Sequence, residues 1–343
     1  MMKWLKRFFK GEGYLQPALD IGSYSVKVVQ LARTPQGYSL QKYGLEEYSE
    51  PVFAGGEIVD DIEVVDAIRR LFLNLGIEDE EVTIHIPMAS CFYSVVSLSP
   101  SSNLKDSVME YIRSIIGPEE FPKVEIAYEV LPYSLKEGSV SVAIAAVKKE
   151  ALKRRLELVK RAGLEPSVVD IEVGAINNQY YLNNPDKVSE PVCLVDMGYS
   201  STKVVVSVGG FPFLARDFEY GGAWLSEQIQ RELSVDFESA EALKREGSPR
   251  IEELLYRFLK RVGTEVRWTL DDFKERFEKE VEQIFLYGGV AKMGGVASLL
   301  SDLVEGRVSV GAPLSFASLS GHEEFAVAAG LALRYEGDEN ASF

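Results

Sequence analysis

Apolar positions along the chain follow two rhythms. Short β-branched runs bounded by glycine or polar turns read as strands, and longer stretches with an apolar residue every three or four positions read as amphipathic helices. Residues 1–10 take the second form. Met1, Trp4, Leu5 and Phe8 share one face, and Lys3, Lys6, Arg7 and Lys10 take the other. Strands follow at 18–20, 26–31 and 38–43, then an acidic turn at 57–61. Over residues 62–75, Ile62, Val65, Ile68, Leu71, Phe72 and Leu75 define a helix with Gly76 as its cap. A buried strand at 82–87 comes next. From 89 to 147 the order becomes strand, helix, strand, strand, which predicts a small α+β module inserted into the first half. A helix at 149–162 leaves that module, a strand at 168–171 and a helix at 174–182 return to the parent sheet, and 183–189 is a linker. The second half opens on its own paired strands, running to residue 218. Helices follow around Leu225, Ile229 and Leu233, from Phe237, and over 251–277. A strand at 283–287, a helix from Gly294-Gly295 to Leu303 and a last helix at 323–335 complete the reading. That last helix carries Ala326, Ala328, Ala329, Gly330 and Ala332, small enough for close helix packing.

The two halves repeat one stretch. Asp20, Gly22, Ser25, Lys27, Val28 and Val29 match Asp196, Gly198, Ser201, Lys203, Val204 and Val205 at a constant offset of 176 residues. That period is far too long for a solenoid, so the repeat implies two homologous domains. Each copy reads as a strand ending in Asp, a tight turn through Gly and small hydroxyl residues, and a second strand. Such a turn aims backbone N–H groups at one point and makes an anion site. An Asp beside it repels phosphate unless a divalent cation lies between them. Two facing copies therefore point to a Mg-nucleotide clamped in a cleft. The plainer alternative is a pair of ordinary Asp-x-Gly turns.

Composition narrows the class. A chain of 343 residues exceeds the size at which one core stops growing, so two or more domains are expected. With 46% hydrophobic and 26% charged residues it is ordinary globular protein, and a net charge of −16 argues against nucleic-acid binding. The two cysteines, Cys91 and Cys193, lie in apolar runs and read as reduced core residues of an intracellular protein. His85 reads as a sheet residue and His322 as a helix cap, so no histidine-based metal site or triad can be built. No apolar run approaches a bilayer-spanning length, and no signal peptide is evident. The basic face of residues 1–10 is a candidate for peripheral contact with anionic lipid, against docking on its own domain.

The ordered motifs resemble those of the actin/Hsp70/hexokinase ATPase superfamily. Asp20-Ile-Gly-Ser with Lys27 resembles its phosphate-1 motif, Val169-Asp170-Ile171-Glu172-Val173 connect-1, and Asp196-Met-Gly phosphate-2. Tyr287-Gly288-Gly289-Val290 with Gly294-Gly295 resembles the adenosine motif, and Phe325 through Gly330 resembles connect-2. The match covers roughly residues 15–335. The inserted module stands where FtsA-like proteins carry their 1C subdomain. The turn at 56–60, Ile86-Pro87, Glu129-Val130-Leu131-Pro132 and Ala162-Gly163-Leu164-Glu165-Pro166 are similar to the PilM family of type IV pilus assembly.

This resemblance implies an α/β, actin-like ATPase fold: two duplicated ribonuclease-H-like domains with an FtsA-type 1C α+β insertion. The expected parts are an arm at 1–12, subdomain 1A at 13–88 and 148–190 with a return helix at 323–336, and 1C at 89–147. Subdomain 2A would take 191–220 and 265–322, and 2B would take 221–264. Asp20 and Asp196 would hold Mg²⁺ through water. Gly22, Ser23, Tyr24, Ser25 and Lys27, with Gly198, Tyr199, Ser200 and Ser201, would cradle the phosphates of ATP. Gly222, Gly288, Gly289 and Val290 would admit the nucleotide, and Glu241 and Lys244 would reach its sugar. Glu172 is the candidate for orienting water. Tyr199 stands where strong hydrolysers of the superfamily often carry Asp or Gly, so slow or absent turnover is expected. The family implies a cytoplasmic scaffold, peripheral at the inner membrane, that binds the cytoplasmic N-terminal peptide of a PilN-like bitopic membrane protein between 1A and 1C. Other pilus components and oligomerisation stay open. The alternatives are an FtsA-type cell-division membrane tether and a small-molecule kinase of the hexokinase superfamily. Against the first, the C-terminal stretch is acidic and the amphipathic stretch lies at the opposite end. Against the second, no catalytic base Asp stands out.

Overall fold

A computed structural model describes residues 13, 15–49, 52–54, 57–100, 103–132, 134, 137–317, 319 and 321–334. The expected helix at 1–10, Gly56 and the C-terminal residues lie outside them.

The β-branched runs assemble into two sheets of the same design. In the first half, β1 (Ala18–Ile21) pairs antiparallel with β2 (Ser25–Thr34), and β2 with β3 (Gly37–Glu47). On the other side β1 pairs parallel with β6 (Glu81–Ile86), and β6 with β10 (Glu165–Ile171). The sheet order is β10-β6-β1-β2-β3. In the second half, β11 (Val192–Met197) pairs antiparallel with β12 (Thr202–Val208), and β12 with β13 (Phe211–Phe218). There β11 pairs parallel with β14 (Gln283–Tyr287), and β14 with β15 (Arg307–Val310). The order β13-β12-β11-β14-β15 is the first arrangement read from the opposite edge. Sequence duplication is thus matched by duplicated topology. The central strands β1 and β11 are buried along their whole length, as strands covered on both faces must be.

The helices cover these sheets. Asp60 caps α1 (Asp61–Leu75) by accepting from the Ile62 and Glu63 amides, so the acidic stretch read as a turn is partly a helix start. Just before it, β4 (Phe53–Ala54) and β5 (Glu57–Ile58) pair as a two-stranded ribbon. The inserted module is a three-stranded antiparallel sheet in the order β7-β9-β8, built from β7 (Cys91–Leu98), β8 (Val124–Val130) and β9 (Val140–Lys148). It has its own core, where Val108 and Ile112 of α2 (Leu104–Ile116) meet Val142, Ile144 and Ala146. Directly from β9 the chain runs into α3 (Lys149–Arg161), whose Leu158 and Val159 join the core under the first sheet. Next, α4 (Glu172–Asn183) follows β10 without a break, starting two residues earlier than expected.

In the second half α5 (Gly222–Leu233) and α6 (Phe237–Glu246) precede α7 (Glu252–Phe277), which runs unbroken past residue 264. After β14 comes α8 (Val296–Val304). The expected helix at 323–335 is shorter. A 3₁₀ turn at Glu323–Phe325 leads into α9 (Ala326–Leu331), and the chain then tightens through Leu333 and Arg334 amides bonded three residues back. The cause is at hand: the Arg334 carbonyl accepts from Thr83 Oγ1, and its guanidinium stands 3.2 Å from Asp170. His322 makes no side-chain capping bond, contrary to its reading as a cap; its ring packs edge-on against Tyr43 and Phe325. Helices α4 and α9 pack against each other between the two sheets, so one large core runs from α4 and α9 through the second sheet.

Candidate functional site

The two hairpins that open the halves place the same residues in the same register. Asp20 lies across from Lys27, and Asp196 across from Lys203. In each turn the glycine amide donates to the carbonyl three residues on, Gly22 to Ser25 at 3.1 Å and Gly198 to Ser201 at 3.0 Å. The turns face one another: the Ser200 amide donates to Ser23 Oγ at 3.2 Å, and the Tyr24 and Tyr199 rings lie 5.0 Å apart. Behind them, between the halves, is a cavity of about 500 Å³.

Asp20, Gly22, Ser23, Tyr24, Ser25 and Lys27 line this cavity from the first half. Asp196, Gly198, Tyr199, Gly222, Glu241 and Lys244 line it from the second, as do Gly288, Gly289 and Val290. Glu172 enters from the first residue of α4. Ser200 and Ser201 are not among the lining residues; the first holds Ser23, and the second closes the turn. Gly288 has φ +86°, and a Cβ there would stand 2.6 Å from Asp196 Oδ1, so only glycine fits between β14 and the second Asp.

The sequence reading missed several lining residues. Lys203 was visible as the counterpart of Lys27 in the repeat, and that alone could have nominated it. Leu45, Glu47, Arg245, Lys292, Met293 and Glu324 also line the cavity, but sit outside any motif. They arrive there only because β3, α6 and the stretch after β14 meet at the cleft.

The charges are not distributed alike. Asp20 accepts from Lys27 Nζ at 3.2 Å through one oxygen and lies 3.0 Å from His85 Nε2 through the other. Burial opposes its ionisation, but the Lys27 ammonium and the His85 contact prevail and hold it far below the usual carboxylate range. Asp196 has the same nominal partner, yet Lys203 Nζ stands 3.9 Å from it and 2.9 Å from Glu172. Burial therefore dominates. Lys203 offsets it only in part, Glu172 and Asp20 add to it, and the Asp196 carboxyl is pushed up to about 6. Glu172 is held on both sides, since its second oxygen accepts the Met88 amide at 3.0 Å. Burial works against its charge as well, but Lys203, His85 and the Met88 amide together outweigh it and the net shift is downward. Behind Asp20, buried Arg155 of α3 donates to the Ile21 carbonyl at 2.9 Å and the His85 carbonyl at 3.3 Å. Glu241 and Lys244 are tied together at 2.8 Å, and Lys244 also donates to Ser226 Oγ at 2.7 Å. Among the described residues, no group of three or more His, Cys, Asp or Glu converges as a ready-made metal site.

Twin sheets of one topology, with a cavity between their matched turns, define an actin-like ATPase fold. MreB5 of Spiroplasma citri bound to ADP shares it, with a TM-score of 0.54 at 12% identity, covering 93% of this chain and 95% of that one. The cell division protein FtsA of Staphylococcus epidermidis is 22% identical over 360 aligned residues, covering 88% of this chain and 75% of FtsA. The family profile of the type IV pilus assembly protein PilM matches residues 18–336, and the chain belongs to that family. A chain of a PilM-PilN type IV pilus biogenesis complex superposes with a TM-score of 0.82 at 25% identity, covering 93% of this chain and 98% of that one.

Proposed function

We propose that this protein is an ATP-binding scaffold of the type IV pilus assembly platform, holding the cytoplasmic N-terminal peptide of a PilN-like bitopic membrane protein. The observation that carries the reading is the likeness, over nearly the whole of both chains, to the chain found in a PilM-PilN complex. In this reading the peptide lies between the first sheet's domain and the inserted β7-β9-β8 module. Among the described residues no helix is long and apolar enough to cross a membrane. Its place at the cytoplasmic face of the inner membrane is peripheral, through the partner and through residues 1–10.

The cleft fits a Mg-nucleotide. Asp196 is a buried carboxylate whose lysine is drawn to Glu172, so a cation beside it relieves an existing imbalance. Among the described residues no third His, Cys, Asp or Glu joins Asp20 and Asp196 in a ligand cluster, which suits Mg²⁺, a cation that keeps much of its water and takes phosphate oxygens. Mg²⁺ would neutralise the phosphates' charge between the two carboxylates. Backbone amides of both turns, with Lys27, would orient the phosphates. Lys203 would keep Glu172 ionised and in place, and Glu241 and Lys244 would stand nearest the sugar.

The test uses the full chain and a synthetic peptide carrying the cytoplasmic N-terminal segment of the same organism's PilN-like protein. Calorimetric titration, with and without MgATP, should give saturable one-to-one binding. Absence of binding in both conditions would refute the scaffold reading. Partner-free retention on anionic vesicles that persists after residues 1–10 are deleted would instead favour the FtsA-type tether, which the similarity to FtsA keeps as second choice.

A further inference from the structure

At the mouth of the cleft four side chains from opposite halves touch. Tyr24, in the first turn, donates its hydroxyl to Glu47 Oε2 at 3.0 Å, at the end of β3. From α6, Arg245 crosses over, donating to the same hydroxyl at 2.9 Å and lying 3.4 Å from both Glu47 oxygens. Tyr199, in the second turn, packs its ring on Tyr24 at an interplanar angle of 41°. All four line the cavity. Each tyrosine also has a contact within its own half. The Tyr24 carbonyl accepts the Tyr48 amide at 3.2 Å, and the Lys244 ammonium stands 5.9 Å from the centre of the Tyr199 ring.

We infer that Tyr24, Tyr199, Glu47 and Arg245 form a latch that closes the cleft over its ligand and sets how fast a bound nucleotide leaves. The role of the latch in nucleotide release rests on the nucleotide reading above. The tilted tyrosine pair and the bonds from Arg245 to Tyr24 and Glu47 each join one half to the other, so they stand in the way of separating the turns. Opening must break the ring pair, the Arg245 bonds and the Ser200–Ser23 bond together. The strength suits a device that opens repeatedly. The Arg245 and Glu47 side chains are 62% and 46% exposed, so water and salt weaken their attraction. The tyrosine pair adds an attraction that salt does not screen.

Two measurements test the latch. In the nucleotide-free protein, hydrogen exchange at the amides of residues 22–25 and 198–201 reads cleft opening directly. An Arg245→Ala, Tyr24→Phe double variant should speed that exchange about three- to tenfold, the loss of one exposed ion pair and one hydroxyl contact. Stopped-flow release of mant-ATP should accelerate by a similar factor. Raising salt to about 0.5 M should quicken wild-type release more than release from Arg245→Ala, because the ligand's own phosphate contacts weaken in both and the Arg245 bridge only in the wild type. Exchanging the charges, Arg245→Glu with Glu47→Arg, should restore slow opening that Arg245→Glu alone has lost. Unchanged exchange in the double variant, or no restoration by the exchange of charges, overturns the latch. If wild-type protein binds no mant-ATP the nucleotide reading falls by itself, and hydrogen exchange still decides whether the latch exists.

Discussion

The two aspartates at the ends of β1 and β11 are equivalent in sequence and unequal in charge balance. Asp20 keeps its lysine and gains His85, whereas Asp196 shares its lysine with Glu172 at the lysine's shorter distance. Their effects on stability therefore have opposite signs. Asp20 titrates below its unfolded value, so it stabilises the fold throughout the neutral range and is lost only in strong acid. Asp196 titrates above its unfolded value. Its contribution is fully present below the ordinary 3.8 and is lost as pH rises through about 6. At neutral pH the nucleotide-free protein thus carries a buried charge it would be more stable without. Asp196→Asn should stabilise it by about 1–3 kcal/mol at pH 7.5, with the gain fading between pH 6 and 4. Urea unfolding across that range checks this, and a pH-independent difference would show that the imbalance is absent. The paired aspartates were legible in the sequence because the repeat aligns them. Their inequality was not, because Glu172 reaches Lys203 only after β10 and α4 bring it across the cleft.

At the scale of elements, periodicity located most strands and helices, because their apolar faces are continuous. It failed where signals were short or where distant contacts decide the end. β15 has four residues, mostly exposed, and only its parallel pairing with β14 makes it a strand. α9 was read too long because its end is set by Thr83 and Asp170, far away in sequence. The small residues of α9 did announce close packing, and the structure gives it a partner. A Cβ on Gly330 would overlap the Ala175 carbonyl of α4 and lie only 2.5 Å from its carbon. Every residue of α9 is buried, so nothing can move aside cheaply. Gly330→Ala should cost about 1–3 kcal/mol despite its better helix propensity, the range for overpacking a tight contact. Gly289→Ala is the control: nothing lies within 4 Å of its added carbon, so stability should hold. Equal stability of the two variants in urea unfolding would mean the helices have room to separate.

For the whole molecule, the nucleotide proposal leaves one question to the cleft between the duplicated sheets: whether a bound nucleotide would serve chemistry or shape. Several contacts already draw the halves together without a ligand, from Ser200 on Ser23 to the tyrosine pair. A ligand touching both turns adds to them and should raise the stability of the closed form by mass action. At a hundredfold excess over its Kd, MgATP should add about 2.7 kcal/mol to unfolding, measurable as a shift in thermal midpoint. Hydrolysis needs more, namely a polar group free to orient water for in-line attack. Glu172 is the nearest candidate, but one oxygen is committed to Lys203 and the other to the Met88 amide. Turnover should accordingly be on the order of 10⁻³ s⁻¹ or slower, the pace of a phosphoryl-transfer site without assistance. A phosphate-release assay decides the matter. Cycling at tens per second would mean that Glu172 leaves its partners on nucleotide binding and that the cleft works as an engine. Slow turnover together with a large midpoint shift would mean that nucleotide acts as a structural clamp on a scaffold.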